Sequence, residues 1–327
     1  MEVRVLGPGG PRVIPTSELP AALADPQLIV WVDVPTCDDA ARAILHDVLG
    51  FHYVAVREAA TRQHMPKIHG YPGYVFVVLH SPMRGERGHV HYIELDQFVG
   101  QRLLVTVHGP TNPAVPSWVP LRDTEAVWER ICEGRWVPAT AMELSRAIVS
   151  AMTREMEYCL EDITTDVWGL ERRVTAGELG DPESFLELLF QARHALLAVA
   201  NMTEGGTVVY GRMLRVVGEL SEHDRSLIAD TIDQLERVHA LAKGQREYLQ
   251  GVIEFYRARA DTKLMIAAER LAVIAAVTLP ATAIASVLGM NVIVNERTVA
   301  VLLWPILAVM GLMSAALLWW AKKHEWW

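Results

Sequence analysis

The chain has 327 residues, 51% of them hydrophobic and 21% charged, with a formal net charge of −9. That length leaves room for two domains, and the acidic balance argues against nucleic acid, which binds a basic face. Cys37, Cys132 and Cys159 are far apart, show no metal-ligand spacing and read as free thiols in a reducing compartment.

Met1–Gly10 is rich in Gly and Pro and does not read as a secretory leader, so the N-terminal region is expected in the cytosol. Short β-rich runs follow at Leu28–Asp33, Tyr74–His80, His89–Leu95 and Arg102–His108, with a helix expected over Asp38–Leu49. Gly109–Pro120 reads as a loop, followed by a short helix around Trp128. Residues 1–135 are therefore expected to form an α/β domain. His89 and His91 alternate onto one strand face, with His64 and His69 nearby in sequence. No cysteine or third ligand stands at fixed spacing, so they read as ordinary strand and loop histidines.

From Thr140 the pattern is helical, and residues 136–220 form a helical region. Ala141–Ala176 is one amphipathic segment, and Pro182–Asn201 is a second, with Asp181 placed to cap it and Pro182 at its first position. Gly205, Gly206 and Gly211 are expected to loosen the chain. A heptad then runs through Ile228, Leu235, Ala242, Leu249 and Tyr256, with Thr231, Val238, Gln245 and Val252 beside it, as helices packed side by side require. No proline occurs between Pro182 and Pro280, so residues 221–290 are expected as one stalk helix, on the order of 100 Å long, continuing into a membrane span.

No charged residue lies between Arg270 and Glu296, nor between Arg297 and Lys322. Each stretch exceeds the roughly 20 apolar residues that a helix needs to cross a bilayer. The expected layout is a first span ending at 290, an outer loop at 291–297, a second span at 298–321 and a basic tail at 322–327. Arg257, Arg259, Lys263 and Arg270 precede the first span, and Lys322 and Lys323 follow the second, which places both termini in the cytoplasm. Trp319, Trp320, Trp326 and Trp327 suit the headgroup layer. No phosphate-binding glycine loop, nucleophile elbow or zinc-protease motif appears, and no enzyme is expected.

Gly289-Met290-Asn291 closes the first span. Taken alone, Gly289 and Asn291 are common helix-ending residues. Together with the two C-terminal spans, and with Trp31-Val-Asp33, Phe51–Val56, Pro66-Lys67, Leu104–His108 and Asp230–Asp233, the motif makes the chain resemble the CorA family of divalent-cation channels. The resemblance implies an α+β membrane protein: a cytoplasmic α/β domain, a long helical stalk and two transmembrane helices, assembled as a funnel-shaped homopentamer in the plasma (inner) membrane. It implies a selectivity filter at Gly289, Met290 and Asn291, with five Asn291 side chains ringing the outer mouth. Neutral amide oxygens can bind a still-hydrated Mg2+ without stripping its water.

Below the filter, Ser286, Thr282, Thr278 or Leu279, Ala275, Leu271 or Ala272, and Ala268 share one broad face. Thr282 matches a polar ring of the family, and Leu279 and Leu271 match its apolar constrictions. Small residues also allow plain helix packing, and for Thr282 both readings stand. Ala268 departs from the bulkier residue common in the family. The outer loop Val292–Thr298 also departs from it, leaving Glu296 as the one acidic ring, beside Arg297.

Glu254, with Asp261 two turns on, corresponds to stalk carboxylates where the family binds regulatory metal; each also reads as a solvated charge. Glu94 and Asp96 are guesses for the partner carboxylate in the α/β domain. Lys322 and Lys323 match an inner basic collar. The expected cargo is Mg2+, with Zn2+, Co2+ or Ni2+ as alternatives. Two rivals are a zinc transporter of the same family with proton coupling, and a non-conducting membrane metal sensor or scaffold.

Overall fold

The computed structural model describes residues 1–178, 180–217, 220–289 and 300–323. The chain divides into two units, Met1–Val252 and Ile253–Trp327. The first is built on a seven-stranded sheet of order β2-β1-β3-β7-β6-β5-β4. Its strands are β1 (Glu2–Leu6), β2 (Arg12–Ile14), β3 (Ile29–Val34), β4 (Lys67–Tyr71), β5 (Tyr74–Arg84), β6 (Val90–Gly100) and β7 (Leu103–His108). Only β3 and β7 pair in parallel; all other neighbours are antiparallel.

Alternation along the strands gives each face its own partner layer. Val30, Val32, Val34, Phe76, Val78, Phe98, Val105 and Val107 form one core with α1 (Leu19–Ala24), α2 (Asp39–Ala43) and α3 (Tyr53–Ala59). Asp38 caps α2 by accepting from the Ala41 N–H at 2.8 Å, and one π-helical turn, Ile44–Val48, extends it. The opposite face carries α4 (Arg122–Cys132), α5 (Ala141–Ala176) and α6 (Pro182–Val216). The sequence set a boundary near residue 135, but α5 and α6 lie against β4, β5 and β6, so helices and sheet share one unit.

The expected strands are all present, although β5 and β6 run further than their apolar cores. α5 has the bounds its periodicity gives, with the Thr140 hydroxyl accepting from the Glu143 N–H at 3.0 Å. Asp181 accepts from the Ser184 N–H at 2.9 Å and Pro182 opens α6, as expected. α6 does not loosen at its glycines; it continues to Val216. A Cβ on Gly206 would lie 3.0 Å from Leu235 Cδ1, and one on Gly205 would lie 2.6 Å from the Pro66 ring. Those glycines permit close approach without ending the helix. α7 (Glu222–Gly289) belongs to the first unit as far as Val252, and there its heptad residues Ile228, Thr231, Leu235, Val238, Ala242, Leu249 and Val252 are the buried ones.

The segments around Trp31 and Leu104–His108 meet across the parallel β3–β7 pair. Trp31 Nε1 donates to Thr106 Oγ1 at 2.9 Å, Thr106 donates to Asp33 at 2.5 Å, and His108 Nε2 lies 2.9 Å from the same Asp33 oxygen. Arg4 sits between the rings of Trp31 and Trp128, at 4.6 and 5.1 Å, and pairs with Glu2, Glu125 and Asp33. Burial alone would raise the Asp33 carboxyl; the hydrogen bond and charge of His108, the Thr106 hydroxyl and Arg4 overcome it and hold the group below its ordinary range. These residues form a structural knot inside the domain.

Glu94 and Asp96 lie on the other face, near Glu58 of α3 and Lys67 of β4, and are 6% and 0% exposed. Their burial in the single chain counts against the guess that they help bridge a metal between subunits. Both Asp96 oxygens lack a hydrogen-bond partner, whereas Glu94 accepts from the Gln63 N–H at 2.8 Å. Burial pushes Glu94 up to about 7 against the pull of that N–H, Arg62 and Lys67; burial and Glu94 push Asp96 well above the usual carboxylate range.

Two outcomes follow for the detergent-solubilised full chain. A carboxyl raised to about 7 is held more tightly by its proton in the native state than in the unfolded one. Its contribution to stability is therefore lost as pH rises from the ordinary value through 7. Glu94→Gln should gain roughly 2 kcal/mol over wild type between pH 5 and pH 8; thermal unfolding at both pH values measures it, and a constant difference would refute the assignment. Gly206→Val should cost about 1–3 kcal/mol by overpacking Leu235, whereas Gly211→Ala, with nothing within 4 Å of the added carbon, should gain up to about 1 kcal/mol.

Candidate ion-conduction site

The second unit contains α7 from Ile253 onward and α8 (Ala300–Lys323). Both helices are long and apolar enough to cross a membrane. A backbone in hydrocarbon must satisfy its own hydrogen bonds, and the helix does so. Pro280 and Pro305 lie inside these helices, each removing one backbone donor.

Within this unit α7 is shielded along Val273, Val277, Pro280, Ala281 and Ile284. The corresponding row on α8 runs through Ile306, Met310, Met313, Leu317 and Ala321. The row expected to line a pore points elsewhere. Ala268, Leu271, Leu279, Thr282 and Ser286 are exposed, Leu271 and Leu279 by 67% and 66%, and Ala275 is half-buried. Steps of three and four residues keep all six on one stripe. An α-helix advances about 100° per residue, so the stripe lies across the helix from Val273 and Val277.

Hydroxyl chemistry on this span is directional. Thr282 Oγ1 donates to the Thr278 carbonyl at 2.8 Å, and Thr278 Oγ1 donates to the Ile274 carbonyl at the same distance. Each hydroxyl spends its one hydrogen on its own helix and keeps lone pairs as acceptors. Water around a cation turns its hydrogens outward, so an acceptor ring is the complement of a hydrated ion.

Gly289 is the last residue of α7. Met290, Asn291 and Glu296 lie outside the described residues. Glu254 and Asp261 are exposed on α7, and among the described residues no three His, Cys, Asp or Glu side chains form a group able to hold a metal ion. His89 and His91 stack edge to face at 4.6 Å at the turn of the β5–β6 hairpin, also without a third ligand among the described residues. Lys322 and Lys323 end α8, the latter 5.3 Å over the ring of Trp319. The Arg4–Asp33 knot was not anticipated as a unit; its signal lay in charged and hydroxyl residues set within otherwise apolar strands.

A sequence model of the CorA-like Mg2+ transporter protein family matches residues 26–323. YfjQ of Bacillus subtilis (strain 168), named as a candidate metal ion transporter, is 22% identical over 304 residues, covering 90% of this chain and 88% of YfjQ. The complete CorA magnesium transporter of Methanocaldococcus jannaschii shares the fold with a TM-score of 0.81 at 14% identity, over 100% of this chain and 99% of that one. Full-length CmaX does so with a TM-score of 0.76 at 17% identity, over 100% and 98%. The chain belongs to the CorA-like family, whose members are membrane-embedded transporters of divalent cations and not enzymes.

Proposed function

We propose that the chain is a homopentameric channel of the plasma membrane, with both termini cytoplasmic, that passes hydrated Mg2+ down its electrochemical gradient. The observation that carries this reading is the stripe Ala268–Leu271–Ala275–Leu279–Thr282–Ser286, which α8 leaves uncovered on the single chain. Five such stripes can enclose an axis. Leu271 and Leu279 would then form apolar rings that close by dewetting, and Thr282 a ring of acceptor oxygens that holds an ion through its water. Magnesium sheds water reluctantly and prefers oxygen ligands. The name of the M. jannaschii relative, a magnesium transporter, supports that cargo.

Gly289-Met290-Asn291 serves as the outer filter, with Asn291 carboxamides facing the axis and Glu296 adding negative charge at the mouth. Glu254 and Asp261 supply stalk carboxylates for regulatory metal held between neighbouring subunits, and Lys322 and Lys323 form an inner basic collar. An inside-negative potential contributes about 2.3 kcal/mol per charge per 100 mV, so a dication gains twice that without ATP.

The test is metal uptake into liposomes by the purified protein. Asn291→Ala should abolish selective Mg2+ uptake while the oligomer survives; unchanged selective uptake would remove the filter assignment. Competition with Zn2+, Co2+ and Ni2+, with and without a proton gradient, separates this reading from a proton-coupled zinc transporter. Thr282→Val keeps the shape and deletes the acceptor, and should cut Mg2+ flux about tenfold, the loss expected for one hydrogen-bonded contact of about 1.4 kcal/mol. Full flux through this variant would assign Thr282 to packing alone.

A further inference from the structure

The second unit carries a groove beside the conduction stripe, which meets it only at Leu271. Its deeper part, about 320 Å³, is lined by Arg270, Val273, Ile274, Val277 and Thr278 of α7 and Leu318 of α8. The walls are hydrocarbon, and the one hydroxyl has its hydrogen turned onto the Ile274 carbonyl. Arg270 is the only charged residue in this lining, and the last charge on the chain before Glu296. It makes no ion pair among the described residues, and its side chain is exposed. A shallower concavity continues from Arg270 along α7, lined by Lys263, Ile266, Ala267 and Leu271. Lys322 stands one helical turn beyond Leu318 on α8.

An apolar slot that opens onto uncompensated cations, where α7 changes from charged to uncharged sequence, suits an amphiphile with an anionic head. Basic pockets between membrane helices on the cytoplasmic side are sites of this kind. We propose that the groove binds one anionic phospholipid of the inner leaflet, its phosphate held by Arg270 and Lys263 and one acyl chain lying against Val273, Val277 and Leu318. The site rests on the membrane placement of the family and is independent of which metal is carried.

The experiment is photo-crosslinking of the full-length protein in phosphatidylcholine nanodiscs. These are doped with phosphatidylglycerol or phosphatidylcholine carrying a diazirine on one acyl chain, and labelled peptides are identified by mass spectrometry. The phosphatidylglycerol probe should label residues 273–278 and 318 at least about fivefold more than the phosphatidylcholine probe, the preference expected for a single basic contact. Arg270→Gln should remove about fivefold of that labelling, whereas Arg257→Gln, the same charge change outside the groove, should leave it intact. Val277→Trp fills the slot and keeps the cations, and should suppress labelling by either probe. Excess inorganic phosphate should not compete. Equal labelling by the two probes, labelling confined to other residues, indifference to Arg270→Gln or Val277→Trp, or displacement by free phosphate would each overturn the proposal.

Discussion

Everything in the membrane half depends on one constraint: a backbone entering hydrocarbon must carry its own hydrogen bonds with it. α7 meets it by remaining helical from Glu222 to Gly289 while its side chains change what they seek. In the first unit the heptad residues Ile228, Leu235, Ala242 and Leu249 are buried against neighbours. Past Arg270 there is no charge to solvate, and Val273, Val277 and Ile284 are shielded while Leu271, Leu279, Thr282 and Ser286 stay exposed. Thr278 and Thr282 show how polar atoms are tolerated there: each returns its hydrogen to the backbone one turn earlier and exposes only lone pairs.

The first unit solves a different problem, that of polar groups placed inside a sheet. On one face Asp33 is well supplied: Thr106 donates to it, His108 Nε2 lies within hydrogen-bond distance and Arg4 stands close by between two tryptophans, so it stays charged because its partners outweigh its burial. On the other face Asp96 has no hydrogen-bond partner and Glu94 only one, so burial governs and both carboxyls favour the proton. The two faces differ in partners rather than in depth. A buried carboxylate keeps its charge only where donors have been built around it.

Cation conduction by this architecture asks little covalent chemistry of the protein. The side-chain oxygen atoms offered along α7 past Arg270 are neutral, and the charged residues Arg270, Lys322 and Lys323 lie at the ends of the spans rather than within them. Neutral acceptors suit an ion that keeps its water, because they bind the shell and leave the metal–oxygen bonds alone.

Periodicity and charge by themselves determined the large elements: α5 residue by residue, the Asp181–Pro182 start of α6, the continuity of α7 and the two uncharged spans. These are local properties, fixed by how apolar residues repeat and where caps and charges fall. The short strands β1, β2 and β4 were not legible, because a strand of three to five residues is defined by its neighbours across the sheet. The role of Gly205 and Gly206 was also hidden, since a glycine that ends a helix and one that admits a neighbour look alike until Pro66 and Leu235 are in place. The same holds for Glu94 and Asp96: acidic residues in an alternating strand read as exposed, and only the sheet's second cover, α3, decides that they are buried. Tertiary structure alone also decided which side of α7 faces α8, because a helix that is apolar all round carries no periodic signal for its own rotation.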